Sequence, residues 1–126
     1  MIGAIAGDII GAKYEFYNIK TIDFDIFNKH TSFTDDTVML LANAKWLLDN
    51  VQNPDKYSMI KLEEFMVEFG KKYPNAGYGL MFYRWLFHYE TFVTVDGKRA
   101  DKRMPYNSYG NGSAMRVILL VGHLKQ

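Results

Sequence analysis

The chain has 126 residues, 48% of them hydrophobic, which is the length of one domain and enough to bury roughly two-thirds of the surface that the unfolded chain exposes. Fifteen basic against fourteen acidic residues leave a net charge of +1, so no global field draws the protein to nucleic acid or to an anionic membrane. There is no cysteine, which excludes disulfides and thiolate metal sites and makes the cytoplasm the expected compartment.

Helical periods run through most of the sequence and strict alternation is nearly absent, so the expectation is an all-α fold forming a single domain over residues 1–126. The N-terminal stretch is apolar, but Gly3, Gly7, Asp8 and Gly11 interrupt it and no basic region precedes it. Neither an export signal nor a membrane span is expected there. Residues 2–12 place glycine at every fourth position, which lines one helical face with hydrogen atoms and predicts a central helix closely approached by another backbone. From Asp36 to Asn50 the apolar residues Val38, Met39, Leu40, Leu41, Ala42, Ala44, Trp46, Leu47 and Leu48 surround the axis, as in a helix buried on most sides. Its N-terminus is then expected to be buried as well.

Asn53 and Pro54 offer a cap and a first-turn residue for a third helix, in which Leu62, Phe65, Met66, Phe69 and Tyr73 form one stripe opposite Lys61, Glu64, Glu68 and Lys72. That pattern belongs at the surface. "GYGLMFYRWLFHYE" (77–90) predicts a dense aromatic helix, and "GSAMRVILLVGHLK" (112–125) another apolar one with Arg116 inside it. Residues 91–109, rich in Gly, Asp, Lys and Arg, read as a loop.

Three clusters bear on chemistry. "FTDDTVM" puts Asp35 and Asp36 between two threonines at a helix start. Thr34 is a good N-cap, and acidic residues in a first turn interact favourably with the helix dipole by ~0.3–1 kcal/mol each. Burial offers a second reading, because two adjacent carboxylates in a dry site need a compensating cation, and hard oxygen ligands suit Mg²⁺, Mn²⁺ or Ca²⁺. In "NSYGNGSAMRV" Gly110 and Gly112 let backbone N–H groups face one concavity ahead of a helix N-terminus, an arrangement suited to a phosphate or pyrophosphate. Tyr109 could stack on a ring or ribose there; the plainer alternative is a loop with Asn111 as helix cap. Arg116 reads either as part of that site or as a buried ion-pair partner.

Glu15 follows the glycine-rich helix and comes near the Asp35–Asp36 turn only if the two helices pack together. Asp8, on an otherwise small and apolar helix, reads as a buried structural hydrogen-bond acceptor. His30, His88 and His123 have no ligand spacing.

"MIGAIAGDIIGAKYEF", "FTDDTVM", "GYGLMFYRW" and "YGNGSAMRV", in that order, resemble the ADP-ribosylglycohydrolase family of the dinitrogenase reductase-activating glycohydrolase type. The resemblance implies an all-α fold around a binuclear Mg²⁺ or Mn²⁺ centre. It also implies hydrolysis of the glycosidic bond between ADP-ribose and a protein side chain or small acceptor, with ADP-ribose or an ADP-ribosylated protein as the partner. On that resemblance Thr34, Asp35 and Asp36 are metal ligands, Glu15 is the acidic residue that acts on the water or gates the metals, and Ser108, Tyr109, Gly110, Asn111 and Gly112 line the diphosphate and proximal ribose. The family's second metal motif, Asp-x-Asp-Thr, does not occur here, and after "GSAMRV" the chain reads "ILLVGHLKQ" where the family has a Ser-Pro step. The match is therefore to the N-terminal portion of the fold, with half of the metal ligands absent and self-association or a complementary C-terminal chain expected to complete it. A nucleotide-binding module without catalysis and a non-catalytic interaction protein are the alternatives.

Overall fold

The computed structural model describes residues 1–52, 59–88, 103 and 105–123. Among the described residues five α-helices follow in order: α1 (Ile2–Gly11), α2 (Asp35–Gln52), α3 (Met59–Lys72), α4 (Leu80–Phe87) and α5 (Gly112–His123), with a short 3-10 turn, Ala12–Tyr14, continuing α1. No strand occurs among the described residues, and none of their helices is long and apolar enough to cross a membrane.

The core forms where α2, α3 and α4 meet. Val38, Met39 and Ala42 of α2, Met66 of α3 and Phe82, Trp85 and Leu86 of α4 are buried together. The whole stripe read from the sequence on α3, Leu62, Phe65, Met66, Phe69 and Tyr73, lies in or against that core. Its polar opposite face reaches solvent at Glu64, Glu68 and Lys72, while Lys61 ties α3 to α2 through a 2.8 Å ion pair with Asp49. A close helix contact does exist, and Gly70 makes it: a Cβ there would sit 3.2 Å from Leu86 Cδ1. Glycine at that position lets α4 seat its fully buried leucine.

α1 departs from expectation. It has no buried residue, and nothing lies within 4 Å of where a Cβ would stand on Gly3, Gly7 or Gly11. The helix is peripheral, not central, because its contacts run to the start of α2 and not to the core. After it, residues 15–34 follow an irregular course pinned at a few points: Lys13 Nζ and the Tyr14 hydroxyl donate to the Asp25 carbonyl at 2.9 and 3.2 Å, and Phe33 packs edge-on against Tyr73. Ile22 is 99% exposed and Phe16 81% in that segment.

α2 is enclosed over its first half, from Thr37 to Asn43, while Leu48 and Val51 reach solvent. Its N-terminus is only partly enclosed, with Asp35 half-buried and Asp36 exposed. The aromatic helix is shorter than its sequence pattern: Gly77 takes φ +92°, a backbone state that other residues rarely adopt, so Gly77, Tyr78 and Gly79 remain outside α4. The expected start of α3 at Asn53 and Pro54, residues 89–90 of the aromatic segment, most of the 91–109 loop and the tail after His123 lie outside the described residues. Arg103, within that loop, closes the other end of α4. Its Nε donates to the Trp85 carbonyl at 2.8 Å, its guanidinium to the Leu86 carbonyl at 3.2 Å, and it lies 5.1 Å from the Trp85 ring centroid. A cation on the last carbonyls of a helix satisfies acceptors that have no partner within it.

Candidate active site

A cleft of about 950 Å³ opens where the C-terminal end of α1 faces the starts of α2, α4 and α5. It is lined by Asp8, Glu15 and Phe16, by Thr34, Asp35 and Asp36, by Gly77 to Phe82, and by residues of the 106–116 segment. Three helices begin here, so the positive ends of three helix dipoles meet in one concavity.

The floor is built by a carboxylate borrowed from another helix. The Thr34 carbonyl accepts the first bond of α2, from the Val38 N–H, and Thr34 Oγ1 accepts the Asp36 N–H at 3.3 Å, so Thr34 is the N-cap that the sequence predicts. Asp8 completes the cap from α1. Its Oδ2 accepts the N–H of Thr34 at 2.8 Å, the N–H of Thr37 at 3.2 Å and the Thr37 hydroxyl, and its Oδ1 accepts the Thr34 hydroxyl. Asp8 is thus the half-buried structural acceptor expected from the sequence, and it fixes the turn on which Asp35 and Asp36 stand.

These acidic groups are poorly compensated. Burial, first, and then the neighbouring charge of Asp36, with smaller effects of Glu15 and Asp8, push the Asp35 carboxyl from 3.8 up to about 6. Asp36 is also raised, by burial and then by Asp8 and Glu15, while Arg116 opposes the shift. Glu15 is itself exposed, lines the cleft with Asp35 and Asp36, and its charge acts on both aspartates. Tyr78, pushed up to about 12 by burial and by Asp35, donates its hydroxyl to the Tyr73 carbonyl at 3.0 Å.

Across the cleft, the Ser108 hydroxyl accepts the Gly110 N–H at 3.0 Å and the Asn111 carbonyl accepts the Ala114 N–H at 2.8 Å, opening α5. The Gly110 N–H is therefore committed within the loop and is not held out toward a ligand. Ser108, Gly110, Asn111 and Gly112 line the cleft, but Tyr109 does not, and it is fully exposed. A Cβ on Gly112 would stand 3.2 Å from Met115 Cε and 3.3 Å from Arg116 Nη2, the tips of two flexible side chains. Arg116 lies over the Phe82 ring, 4.3 Å from its centroid, beside Tyr106, and forms no ion pair among the described residues. Burial lowers its pKa, with Tyr106, Asp35 and Asp36 acting in the other direction.

The family model described as ADP-ribosylglycohydrolase matches residues 1–125. The chain belongs to that family. It is also 28% identical over 143 residues to a Xenopus tropicalis protein named ADP-ribosylhydrolase ARH3, an overlap that takes in 94% of this chain and 36% of the relative. The chain therefore spans about a third of the length of the curated relative it matches. No solved structure matches it.

Within this chain of the ADP-ribosylglycohydrolase family, eight of the nine residues to which the resemblance gave site roles, Glu15, Thr34, Asp35, Asp36, Ser108, Gly110, Asn111 and Gly112, line one cleft. The oxygen donors of Thr34, Asp35 and Asp36 are of the kind that suits Mg²⁺ or Mn²⁺, and by number would make only part of a shell. Among the described residues no three acidic or imidazole side chains come close enough to enclose an ion by themselves. Sequence reading gave no site role to the Tyr78–Phe82 wall, although glycine on both sides of Tyr78 signalled a backbone turn ahead of a helix.

Proposed function

We propose that this chain carries the nucleotide-binding and partial metal-binding elements of a metal-dependent ADP-ribosylglycohydrolase, hydrolysing the glycosidic bond between ADP-ribose and a protein side chain or small acceptor. The observation that carries the reading is the meeting on one cleft of the Thr34–Asp35–Asp36 turn with the 108–112 loop. The first offers hard oxygen donors with excess negative charge. The second leads into a helix N-terminus suited to a diphosphate.

Thr34, Asp35 and Asp36 would hold Mg²⁺ or Mn²⁺, which when bound supplies a Lewis acid at the ribose hydroxyls and the attacking water. The Ser108, Gly110, Asn111 and Gly112 loop positions the diphosphate, and the starts of α4 and α5 together with Arg116 balance its charge. Holding both ends of the nucleotide orients the anomeric carbon, which converts the reaction into one between preplaced groups. Glu15 accepts a proton from water whose oxygen bonds to that carbon. The bond to the acceptor breaks, and the acceptor departs with the bonding pair and takes up a proton.

A second reading is favoured by the lack of a closed three-ligand cluster among the described residues: the cleft binds ADP-ribose without cleaving it. One experiment separates the two. The chain is incubated with an ADP-ribosylated protein and Mg²⁺ or Mn²⁺, free ADP-ribose is measured, and binding of ADP-ribose is measured in parallel. Metal-dependent release supports hydrolysis, binding without release supports the second reading, and neither binding nor release overturns both.

A further inference from the structure

Thr34 has an N-cap role that one hydroxyl lone pair fulfils, yet the surrounding hydrogen bonds do more than cap a helix. Asp8 accepts four of them, two from backbone N–H groups and two from hydroxyls, and all four donors belong to Thr34 and Thr37. The hydroxyl proton of Thr34 is committed to Asp8 Oδ1, while its oxygen accepts the Asp36 N–H. What the Thr34 hydroxyl has left to offer is one lone pair. That is the form of a hydroxyl that a cation requires and that an anion or a hydrogen-bond acceptor does not.

Asparagine at position 8 could not do the same. Three donors converge on Oδ2 and a fourth on Oδ1; an amide would set its own N–H₂ against one of these groups, leaving donors opposed. Glutamate keeps the charge but moves it by one methylene. The carboxylate is also attached to a helix with no buried residue, so these bonds are a principal tie between α1 and the turn. An ordinary cap on α2 would need no residue from another helix.

We propose that Asp8 is a positioning residue for the metal-binding turn: its carboxylate clamps Thr34 and Thr37 so that the Thr34 oxygen, with its proton turned away, and the Asp35–Asp36 carboxylates are preset to receive a divalent cation. This rests on the metal reading given under Proposed function. Asp8 contacts no bound group itself and acts through Thr34.

The test measures Mn²⁺ binding by calorimetry or electron paramagnetic resonance in the full 126-residue chain, together with amide hydrogen exchange at Thr34 and Thr37. Wild type, Asp8→Asn, Asp8→Glu, Thr34→Val and Thr37→Val are compared, with helicity checked by circular dichroism. Asp8→Asn and Asp8→Glu both weaken Mn²⁺ binding by about tenfold or more, the range found for partners that orient metal ligands, and both lose amide protection at Thr34 and Thr37. Thr37→Val, which removes a single bond of the clamp, lowers the melting temperature but leaves Mn²⁺ affinity within about twofold. The double variant Asp8→Glu, Thr34→Val loses less than the sum of the two single losses, because both act on the same turn.

Affinity retained in Asp8→Glu shows that negative charge suffices and overturns the clamp. Equal losses in Asp8→Glu and Thr37→Val, or additive losses with Thr34→Val, reduce Asp8 to general stabilisation and overturn it as well. A wild type that binds no Mn²⁺ overturns the metal reading and the clamp together, whereas binding that is equal in all variants overturns the clamp alone.

Discussion

The guanidinium of Arg116 lies 4.3 Å from the centroid of the Phe82 ring, so a cation at the edge of the cleft rests on an aromatic residue of the core. A cation over a ring face is favourable by ~0.5–2 kcal/mol depending on desolvation, and the planar guanidinium suits both the ring and a diphosphate. Arg116→Met keeps the apolar stem over Phe82 while removing the charge. ADP-ribose affinity falls by about tenfold, near 1.4 kcal/mol, while the melting temperature changes little. Titration calorimetry beside a thermal melt checks both.

Some of the described glycines have open space at the Cβ position and some do not, and among the latter Gly70 is the one set against a fully buried side chain. Gly70→Ala forces a methyl to within 3.2 Å of Leu86 Cδ1, in a core that cannot yield without cost, and destabilises by ~1–3 kcal/mol. Gly3→Ala meets nothing within 4 Å and adds helix propensity to α1, a gain of ~0.4–1 kcal/mol. Urea unfolding of the two variants gives opposite signs.

That contrast marks where the sequence was legible. The α3 stripe could be read because its partners are any apolar surface, and the period alone decides which side is buried. The four-residue glycine spacing of α1 encodes only permission for a close approach, and among the described residues nothing takes it up. Gly70 stands alone in its helix, so its contact with Leu86 was not visible without the fold. Asp8 was readable as a hydrogen-bond acceptor because a carboxylate on a small apolar helix needs partners, but which donors it would meet depends on where α1 crosses α2. Of the seven cleft positions in the 34–36 and 108–112 clusters, Thr34, Asp35, Asp36, Gly110 and Gly112 came from local motif chemistry and the site roles of Ser108 and Asn111 from the family resemblance, whereas Arg103, capping α4 from a distant loop, carried no local signal.

Asp35 gives the protein a pH dependence of known sign. Its carboxyl is pushed up from 3.8 to about 6, first by burial and then by Asp36, with Glu15 and Asp8 also facing it. The folded state holds this proton more tightly than the unfolded chain, so the group's destabilising effect is absent below about pH 4, grows as pH rises, and is complete above about pH 6 to 7. Screening by the open side of the cleft limits it to ~1–2 kcal/mol. Metal-free Asp35→Asn is therefore more stable than wild type at pH 7.5 and loses that advantage at pH 4, as paired denaturant titrations would register. Added Mg²⁺ or Mn²⁺ stabilises wild type but not the Asp35→Asn, Asp36→Asn double variant.

The isolated chain is expected to self-associate. Ile2, Phe16, Tyr17 and Ile22 are 80–99% exposed on α1 and the segment after it, and so much exposed apolar surface on a small chain favours association with a second copy. Light scattering at micromolar concentration reports a mass above 14.6 kDa; Ile22→Asp with Phe16→Ser lowers it. A monomer that binds no hydrophobic dye contradicts this.

The central claim is that the turn at Thr34, Asp35 and Asp36 takes a divalent cation within the cleft shared with the 108–112 loop. Crystals of the chain grown with Mn²⁺ and ADP-ribose test it most directly, by anomalous difference density collected at the manganese edge. The account predicts a peak at coordination distance from Asp35 and Asp36, with the diphosphate beside Ser108 to Gly112. A well-ordered cleft with no peak there, or ADP-ribose bound away from it, would contradict the account and leave the two aspartates as the first turn of a helix.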